Sequence, residues 1–584
     1  MDREAMLASI ERAKAIVAAT QAAKLAKTQE AERLRIEALG LKKAEELPTS
    51  PISSATSSLA WNAEQQMAID HGYYGKSFCL IGAAGTGKTT TLRAILQNMI
   101  EHFRVPPLNA STKHLIAGAP GVALISYTRR AVRNIARQMT EQLKSHCITF
   151  HKLVEYEPFY YTEWDAEKEC EVNKMRFEPS RNRNNPLPTN LKLIVVDEAS
   201  MLSIDYFNEV LDALPDPSQV QFIFLGDLNQ LPPVYGQAIL GKMLLQLPII
   251  ELTRVYRQAL ESPIISLALA VKDNNFESIS KDLAAGTFGE SQLIDFKNIT
   301  KKITFEKEGR GKVTLHPWKK VLDKDDALLA MQQQLGIWMR EGTYLPDEDL
   351  VLCPWNKSFG TDELNLAIAD YIAKSEDKTV HEVIAGFNKY YFAVGDKLLI
   401  DKQEAIILEI DRNPRYLGKM PQRASKNLNR WGNGNSGANE LGFDVLGDDL
   451  TDEQIDLMLA HAADVEDRTS EASHAIRVRF IDTDEEEQIT KSATLNATTF
   501  AYAITVHKAQ GSECRKVFLL THDCHAAMCS RELIYTAITR AAEELYIVMP
   551  PKMLGKAAAK PRIKGDTLAA KLEFFNSRLG EKAE

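Results

Sequence analysis

The sequence has no long apolar run. Its longest ones, such as LKLIVV at 191–196 and QFIFLG at 221–226, are far shorter than the roughly 20 residues that a membrane-spanning helix needs. They have the length of buried strands. The N-terminal segment carries acidic residues throughout, so we expect neither a secretory signal nor an organelle transit peptide. These absences argue against a membrane protein.

Cysteine is also scarce, with seven residues scattered along the chain and no paired CxxC frame. An odd, dispersed set predicts free thiols in a reducing compartment such as the cytoplasm. One cluster holds His522, Cys524, His525 and Cys529. Its members are crowded and lack the spacing of structural zinc sites, so a metal site there is disfavoured.

The chain lacks an excess of positive charge, since its formal net charge is −9 at pH 7. This does not argue against a nucleic-acid partner, because phosphate contacts act within about one Debye length, roughly 10 Å. A basic groove can therefore exist on an acidic protein, and the class of partner must be inferred from motifs.

Composition separates the two ends of the chain from its middle. Residues 1–47 contain no proline and are rich in Ala, Leu, Glu, Lys and Arg, which predicts a long N-terminal helix. It is either solvated or an arm for a protein partner. Residues 48–60 have the composition of a linker. The C-terminal tail, 551–584, is basic and is either solvated or in contact with nucleic acid.

In the middle of the chain, short apolar runs alternate with helical stretches. This pattern predicts an α/β protein with two parallel-sheet units, one at 61–240 and one made of 241–400 and 495–550. The predicted strands are SFCLIG, GVALISY, LKLIVVDE and QFIFLGD in the first unit, and DLVLCPWN, DKLLIDK, AYAIT, KVFLLTH and ELYIVMP in the second.

Two segments interrupt these units. Residues 401–494 combine an irregular acidic stretch at about 420–470 with the strand pair HAIRVRFID and EEEQITKSA, which predicts an inserted β module. Within about 154–190, two aromatic, β-prone runs flank a polar turn, which predicts a β hairpin.

The strongest motif is Gly82–Thr89, GAAGTGKT, which matches the phosphate-binding P-loop. It follows the strand SFCLI and opens a helical stretch, the context that the motif requires. Its glycines let backbone N–H groups surround phosphate at a helix N-terminus. Lys88 is expected to bridge the β and γ phosphates, and Thr89 to bind Mg²⁺. The predicted nucleotide contacts of this segment are Gly82, Gly85, Thr86, Gly87, Lys88, Thr89 and Thr90.

Two further strands end in polar groups suited to ATP hydrolysis. Leu193–Ser200 ends in Asp197, placed to bind the metal, and Glu198, placed to polarise the attacking water. The strand QFIFLGD leads to Gln230, whose carboxamide both donates and accepts hydrogen bonds and so suits a γ-phosphate sensor. The sequence therefore predicts ATP and Mg²⁺ as cofactors.

Taken in order, the motifs resemble those of superfamily 1B DNA helicases of the Dda and RecD type, over roughly 61–400 and 495–550. The resemblance implies two RecA-like domains, a hairpin that acts as a pin, and an SH3-like β insertion. Besides the three motifs above, its motifs are Trp61–Gln65, Ser126–Ala131, Thr149–Lys152, Leu252–Gln258, Thr505–Glu513 and Tyr535–Ala541.

The resemblance assigns roles to residues in these motifs. It implies that Gln65 reads the adenine edge, that Gly511 and Glu513 belong to the nucleotide site, and that Arg257 and Arg540 are arginine fingers. An arginine on the transferred phosphoryl group stabilises its charge, worth about 10³–10⁵ in rate. When it comes from another domain, cleft closure and hydrolysis are coupled.

The DNA contacts are predicted from the same motifs. The expected residues are short polar or aromatic groups that bond phosphate or stack on bases without reading sequence, namely Thr128, Thr149, His151, Thr505 and His507. Trp164 or Phe177 is expected to supply the apolar edge of the pin.

The sequence leaves more than one function open. The first hypothesis is an ATP-dependent helicase moving 5′ to 3′ on single-stranded DNA and opening forked duplex, in replication, recombination or repair. The alternatives are a single-strand translocase that displaces proteins, and a subunit of a recombination complex. The preference for DNA and the direction of movement come from the resemblance alone.

Overall fold

The computed structural model describes residues 44–51, 60–102, 104, 121–165, 170–234, 236–318, 323–346, 348–357, 359–400, 403–416, 418, 420–421, 424–425, 471–481 and 484–580. Most of the predicted N-terminal helix, of the linker and of the acidic loop lies outside these residues. Contacts divide the chain into two compact units, one made of Met1–Val154, Arg181–Leu260 and Pro561–Glu584, the other of Glu155–Ser180 and Glu261–Lys560. None of the described helices has the length and apolar character to cross a membrane.

A six-stranded parallel sheet with the order β3-β2-β6-β7-β1-β8 forms the centre of the first unit. In chain order, the helices and strands between residues 63 and 260 are α1 (Ala63–Tyr73), β1 (Phe78–Gly82), α2 (Lys88–Glu101), β2 (Val122–Ser126), α3 (Arg129–Gln138), α4 (Glu141–Lys144), β3 (Cys147–Thr149), α5 (Phe150–Leu153), β4 (Tyr156–Asp165), β5 (Cys170–Pro179), β6 (Leu193–Val196), α6 (Ile204–Ala213), β7 (Gln221–Gly226), α7 (Ile239–Leu244), β8 (Ile249–Leu252) and α8 (Arg257–Leu260). Strands β4 and β5 form a separate antiparallel hairpin that groups with the second unit.

The central strands of this sheet are short apolar runs that are buried along their whole length, as in β1, β2, β6 and β7. Such strands favour a parallel sheet covered by helices. All four were predicted from the sequence, and the parallel α/β core is confirmed. Because β6, β7 and β1 are neighbours, the loops at their carboxyl ends meet at one edge of the sheet.

The second unit has its own sheet, ordered β20-β11-β21-β22-β10-β9, in which only β9 runs antiparallel to its neighbour. Its remaining elements are α9 (Pro263–Lys272), α10 (Glu277–Ala284), β9 (Ile303–Lys307), β10 (Gly311–Pro317), α11 (Lys324–Arg340), β11 (Leu350–Cys353), α12 (Thr361–Ser375), β12 (Val380–Ala385), β13 (Asn388–Ala393), β14 (Lys397–Ile400), β15 (Gln403–Arg412), β16 (Ala424–Ser425), β17 (Glu471–Phe480), β18 (Glu486–Lys491), α13 (Ser492–Asn496), β19 (Thr499–Phe500), β20 (Ala503–Thr505), β21 (Cys514–Leu520), α14 (Arg531–Ile538), β22 (Ala541–Met549) and α15 (Met553–Ala558).

One strand predicted for this parallel sheet lies elsewhere. DKLLIDK forms β14, which pairs antiparallel with β15 and β19 instead. Only two residues separate β14 from β15 in the sequence, and so short a connection joins antiparallel strands only. The fifth parallel strand is β10, whose sequence GKVTLHP mixes polar with apolar residues and gave no strand signal.

The β module of the second unit contains a five-stranded sheet, β18-β17-β15-β14-β19, and a three-stranded sheet, β13-β12-β16. The predicted strand pair corresponds to β17 and β18, which are antiparallel. Apolar residues of the module, such as Ile476 and Val478, belong to the same hydrophobic cluster as Val351 and Phe518 of the parallel sheet. The module and the parallel sheet therefore share one core.

The segment predicted as a basic tail contains α15 and a C-terminal helix, Leu568–Gly580. This helix buries Ala569 and Leu572 completely. Its Phe575 packs on Gly241 of α7, where an added Cβ would lie 2.8 Å from the ring carbon Cδ1. The C-terminal helix is therefore a packed element of the first unit, and it carries two of the basic residues of the segment, Lys571 and Arg578.

A glycine in the middle of α11 generates a prediction about stability. A Cβ at Gly336 would overlap the Tyr371 ring of α12 and lie 2.7 Å from its hydroxyl oxygen. Alanine normally stabilises a helix interior by about 1 kcal/mol relative to glycine. Here we expect Gly336→Ala to destabilise by about 1–3 kcal/mol, because the ring has to move out of a packed interface.

The measurement is the thermal unfolding midpoint. Gln333→Ala, at an exposed position of the same helix, is the control and should change it little. If the midpoint of Gly336→Ala equals or exceeds that of the parent, the interface between α11 and α12 has enough space for the added methyl group.

Candidate nucleotide site and strand-binding residues

The predicted P-loop follows β1 and leads directly into α2, whose first residue is Lys88. Gly85 and Gly87 have φ angles of 79° and 85°, in the left-handed region that glycine adopts without a steric penalty. A Cβ at Gly82 would lie 2.5 Å from Thr86 Oγ1 and 3.1 Å from Leu252 Cβ. The loop is therefore closed tightly on itself, which accounts for its glycines.

The ammonium of Lys88 lies against the same loop. Its Nζ donates to the carbonyl oxygens of Gly82 at 2.6 Å and Ala83 at 3.2 Å. A positive charge and the N-terminus of a 14-residue helix thus meet at one place, which favours the binding of phosphate. Thr89 and Thr90 follow in the first turn of that helix, half-buried and exposed respectively.

The two predicted acids directly follow β6, in the centre of the sheet. Asp197 N–H donates to Ile125 O of β2 at 2.9 Å, and Ala199 N–H donates to Leu225 O of β7 at 2.8 Å. Glu198, between them, has a φ of +51°, which is uncommon for a residue other than glycine and carries a backbone cost of order 1–3 kcal/mol. The neighbouring strands hold this turn in place and thereby fix where the Glu198 carboxylate points.

These acids lie in a strongly perturbed environment. Burial, and to a smaller extent the adjacent charge of Glu198, raise the pKa of Asp197 to about 7, against the opposing effects of the Glu198 backbone N–H and the Lys88 ammonium. A buried carboxylate with a raised pKa lacks compensating positive charge. A divalent cation is one group that supplies it.

The predicted sensor reaches the same acids. Gln230 Nε2 donates to Glu198 Oε1 at 3.4 Å, and its side chain is buried. Among the described residues, several oxygens here are buried without a hydrogen-bond partner within the protein: Glu198 Oε2, Gln230 Oε1 and Ser200 Oγ. Buried acceptors of this kind normally find partners. Mg²⁺ prefers oxygen ligands, so this group of residues fits a magnesium nucleotide.

Gln65 lies on the other flank of the P-loop. Its backbone N–H donates to Asn62 Oδ1 at 2.8 Å, and its side-chain Oε1 accepts from Asn62 N–H, which forms a capping box for α1. The Tyr256 hydroxyl also donates to Gln65 Oε1. A Cβ at Gly87 would lie 3.1 Å from Gln65 Nε2 and 3.4 Å from Tyr256 Cε2.

Tyr256 is a site residue that the sequence analysis did not single out. Its backbone N–H donates to Gly85 O at 3.3 Å, so the chain after β8 is tied to the P-loop. The signal was its place within the motif Leu252–Gln258, immediately before Arg257. Arg257 itself is the first residue of α8.

The predicted strand-binding residues of the first unit follow β2 and β3, which are paired through Ser126 and Thr149. Thr128 Oγ1 accepts from Ala131 N–H at 3.1 Å and caps α3, and Thr149 Oγ1 accepts from Lys152 N–H at 3.2 Å and caps α5. Both hydroxyls therefore have a structural role, and both lie at the carboxyl edge of the sheet.

His151 lies in an aromatic cluster that the sequence analysis did not identify as a group. Its ring centroid is 5.7 Å from that of Tyr127 and 5.9 Å from that of Tyr206, and Phe150 lies beside it. Burial and the neighbouring Tyr206 raise the pKa of Tyr127 to about 12, so its hydroxyl stays protonated. Tyr206 comes from α6 and has no motif around it, so no sequence signal pointed to it.

In the second unit the last two motifs are joined by one arginine. Arg540 is buried, and its guanidinium donates to Ser512 O at 3.0 Å, to Thr536 O at 3.0 Å and to Thr539 Oγ1 at 3.1 Å. Its carbonyl also accepts from Cys514 N–H at 2.9 Å. This arginine therefore fixes the loop after β20 to the end of α14.

The remaining predicted residues of that loop lie close together in sequence and space. Thr505 ends β20, and its Oγ1 accepts from Lys508 N–H at 3.3 Å. His507 is half-buried and Glu513 is exposed. Gly511 has a φ of 71°, a left-handed conformation that lets the chain turn back into β21.

The hairpin separates the two predicted pin residues. Trp164 pairs with Glu171, one step from the last pair before the turn, whereas Phe177 pairs with Pro158 near the base. Pro158 and Trp164 are six residue steps apart along the strand, roughly 20 Å at about 3.4 Å per residue. They cannot both form the edge at the tip. Phe177 is 60% exposed.

In the cluster of histidines and cysteines at 522–529, the two histidines stabilise a turn. His522 accepts from Cys524 N–H at 3.4 Å, and His525 Nδ1 accepts from His522 N–H at 3.1 Å. Both imidazoles thus cap the short 3₁₀ turn Asp523–His525. In the part of the chain that the structure describes, no three His, Cys, Asp or Glu residues form a group suited to a metal ion.

Comparison with known proteins gives matches at the positions of the motifs. The model of an AAA domain matches residues 65–236, and that of a UvrD-like helicase C-terminal domain matches 500–548. The ATP-dependent RecD2 DNA helicase of Deinococcus radiodurans is 25% identical over 501 residues, 85% of this chain and 50% of that protein. The RecBCD enzyme subunit RecD of Haemophilus influenzae is 27% identical over 190 residues, 31% of this chain and 26% of that protein.

Among solved structures, the Pif1 helicase of Candida albicans matches with a TM-score of 0.38 and 14% identity, over 89% of this chain and all of that one. The chain spans half of the RecD2 protein and a smaller share of the other RecD relative. With two family models in the expected order and a RecD2 relative aligned over most of its length, the chain is similar to superfamily 1B helicases of the RecD type.

Proposed function

We propose that the chain is an ATP-dependent motor that moves 5′ to 3′ on single-stranded DNA and separates forked duplex. The observation that carries the proposal is the meeting of Lys88, Asp197, Glu198 and Gln230 at the carboxyl edge of one parallel sheet. The first unit alone thus holds a phosphate-binding lysine, a metal-binding acid, a general base and a phosphate sensor. The RecD2 relative, named as a DNA helicase, supports DNA as the track.

In this proposal each of these groups has one task in hydrolysis. Lys88 leaves the carbonyl oxygens of the P-loop and donates to the β and γ phosphates instead. Gln230, hydrogen-bonded to Glu198, contacts the γ phosphate and acts as its sensor. Glu198, in its left-handed turn, orients and deprotonates the attacking water. Thr89 and Asp197 would hold Mg²⁺, which would neutralise developing charge on the phosphates. Gln65 and Tyr256, which flank the P-loop at Gly87, would contact the base of the nucleotide.

The second unit supplies the response to nucleotide. Arg540, together with Arg257, which follows β8 in the first unit, is proposed to stabilise charge on the transferred phosphoryl group. Because Arg540 bonds the loop that contains Thr505, His507, Gly511 and Glu513, any movement of this arginine also moves that loop. In this way one side chain couples the nucleotide state to the binding of DNA by this loop.

The track for the strand consists of groups that hold backbone or bases of any sequence. Thr128, Thr149 and Thr505 end strands or cap helices at the carboxyl edge of their own sheets, and His507 follows in the same loop as Thr505. His151, within its aromatic cluster, offers a ring for base stacking. Such contacts favour movement along a strand over recognition of a site.

The first prediction concerns Lys88→Ala. We expect ATP turnover to fall by about 10²–10³-fold or more, because a charge that stabilises the transition state is lost, while single-stranded DNA affinity changes little. Turnover is measured with saturating oligonucleotide, and affinity by fluorescence anisotropy. Lys144→Ala, an exposed lysine of the same unit, is the control and should behave as the parent. Retained hydrolysis in Lys88→Ala would remove the proposed mechanism.

The second prediction concerns direction and activity on forks. With ATP and Mg²⁺, we expect displacement from a duplex with a 5′ single-stranded tail and none from a duplex with a 3′ tail. A parallel assay follows the release of streptavidin from a biotinylated oligonucleotide end. Displacement of streptavidin without strand separation would identify a protein-displacing translocase, and separation of only the 3′-tailed duplex would reverse the proposed polarity.

The third prediction separates the two candidate pin residues. Trp164→Ala should slow strand separation by about tenfold, comparable to the ~1.4 kcal/mol of stacking in one base-pair step, with DNA-stimulated ATP turnover unchanged. Phe177→Ala, near the base of the hairpin, should have a smaller effect. Phe159→Ala removes another exposed aromatic residue of the hairpin and serves as control. Equal losses of unwinding and ATP turnover in Trp164→Ala would show that the hairpin is not a wedge.

A further inference from the structure

The C-terminal helix lies on the first unit beside the sensor loop. Besides the packing of Phe575 on Gly241, Gln237 Nε2 donates to Arg578 O at 3.3 Å. These contacts fix the helix along α7, the element that follows the loop Gly226–Pro233. A segment more than 300 residues away in sequence thus borders one of the motifs for hydrolysis.

Lys571 extends from this helix to the sensor loop. Its Nζ donates to Asn229 Oδ1 at 2.7 Å and to Leu228 O at 3.3 Å. Lys571 is half-buried, so these bonds are only partly screened by water. A charged donor makes a stronger hydrogen bond than a neutral one. The ammonium therefore anchors both the backbone and a side chain of the turn.

The side chain of Asn229 connects Lys571 to Asp227. Its Nδ2 donates to Asp227 Oδ1 at 2.7 Å, while its own backbone N–H donates to the same oxygen at 2.9 Å. The orientation of the amide is set at both ends, because the ammonium requires its oxygen and the carboxylate requires its nitrogen. Asp227 is almost fully buried, which makes this turn rigid at its base.

The next residue is the sensor itself. Gln230 N–H donates to Asp227 O at 3.2 Å, and Gln230 Nε2 donates to Glu198 Oε1 at 3.4 Å. Hydrogen bonds thus connect Lys571 through Asn229, Asp227 and Gln230 to Glu198, the proposed general base. Small displacements of such groups are costly, since a shift of about 1 Å can reduce a rate by about 10²-fold.

We propose that Lys571 is a positioning residue, which holds the turn Asp227–Gln230 so that Gln230 keeps its place on Glu198. The C-terminal helix is then a working part of the ATP site. This inference rests on the proposed function, because the sensor role of Gln230 does. It assigns to Lys571 no contact with nucleotide.

The test uses Lys571→Met, which keeps side-chain length and removes the donor, in the full chain. With saturating single-stranded DNA, we expect kcat for ATP to fall by about tenfold while KM changes less than about twofold, because the sensor acts in the transition state. Lys571→Arg should recover most of kcat. Lys564→Met, an exposed lysine of the same segment, is the matched control and should leave kcat unchanged.

A second readout does not depend on catalysis. Hydrogen exchange of the amides of 227–231 should become faster in Lys571→Met and not in Lys564→Met, while the thermal midpoint stays within the range of the control. A fall in kcat explained by a lower midpoint or by fewer nucleotide-binding sites would overturn the positioning role. Unchanged exchange with unchanged kcat would overturn it as well. If the parent protein lacks ATP turnover, the proposed function fails, and exchange alone decides whether Lys571 holds the turn.

A double-mutant cycle tests the route through Asn229. If Lys571 acts through this side chain, adding Lys571→Met to Asn229→Ala should lower kcat by no more than about twofold further, because the connection is already broken. Full additivity of the two losses would show that Lys571 acts elsewhere.

Discussion

Two adjacent carboxylates at the end of a central buried strand impose the main constraint on the first unit. Asp197 and Glu198 can be placed there only because neighbouring strands bind the backbone on both sides of them. Burial raises the pKa of Asp197, so the charged form of this carboxylate needs positive charge nearby. The P-loop lysine supplies positive charge, while the left-handed turn and the hydrogen bond from Gln230 orient the carboxylate of Glu198.

The parallel core was predictable because its strands are continuous apolar runs, and the motifs that contain Lys88, Asp197 and Gln230 were predictable because each follows such a strand. Lys88, Asp197, Glu198 and Gln230 lie together as strand order requires. The strand predictions were wrong where the local sequence pattern disagrees with the pairing of strands in the fold. DKLLIDK has the composition of a parallel strand but is bound by a two-residue connection to an antiparallel partner, and β10 is a central strand with a mixed composition.

Contacts between residues that are far apart in the chain had no local signal in the sequence. Tyr206 joins Tyr127 and His151 through the packing of α6, and Lys571 reaches Asn229 across more than 340 positions of sequence. Periodicity and spacing describe neighbours within an element, whereas these contacts depend on which elements pack together. The shared core of the β module and the second parallel sheet belongs to the same class, since the sequence indicated an insertion and gave no sign that it is fused to its host.

The position of the C-terminal helix has a consequence for synthesis. The first unit is discontinuous, because roughly 300 residues of the second unit are translated between α8 and the segment that begins at Pro561. At about 5–20 residues per second, translation of that interval takes roughly 15–60 s. During this time Gly241 has no Phe575 over it and the turn at Asn229 has no lysine. In a nascent chain, the turn at Asn229 therefore gains its lysine only after the second unit has been made.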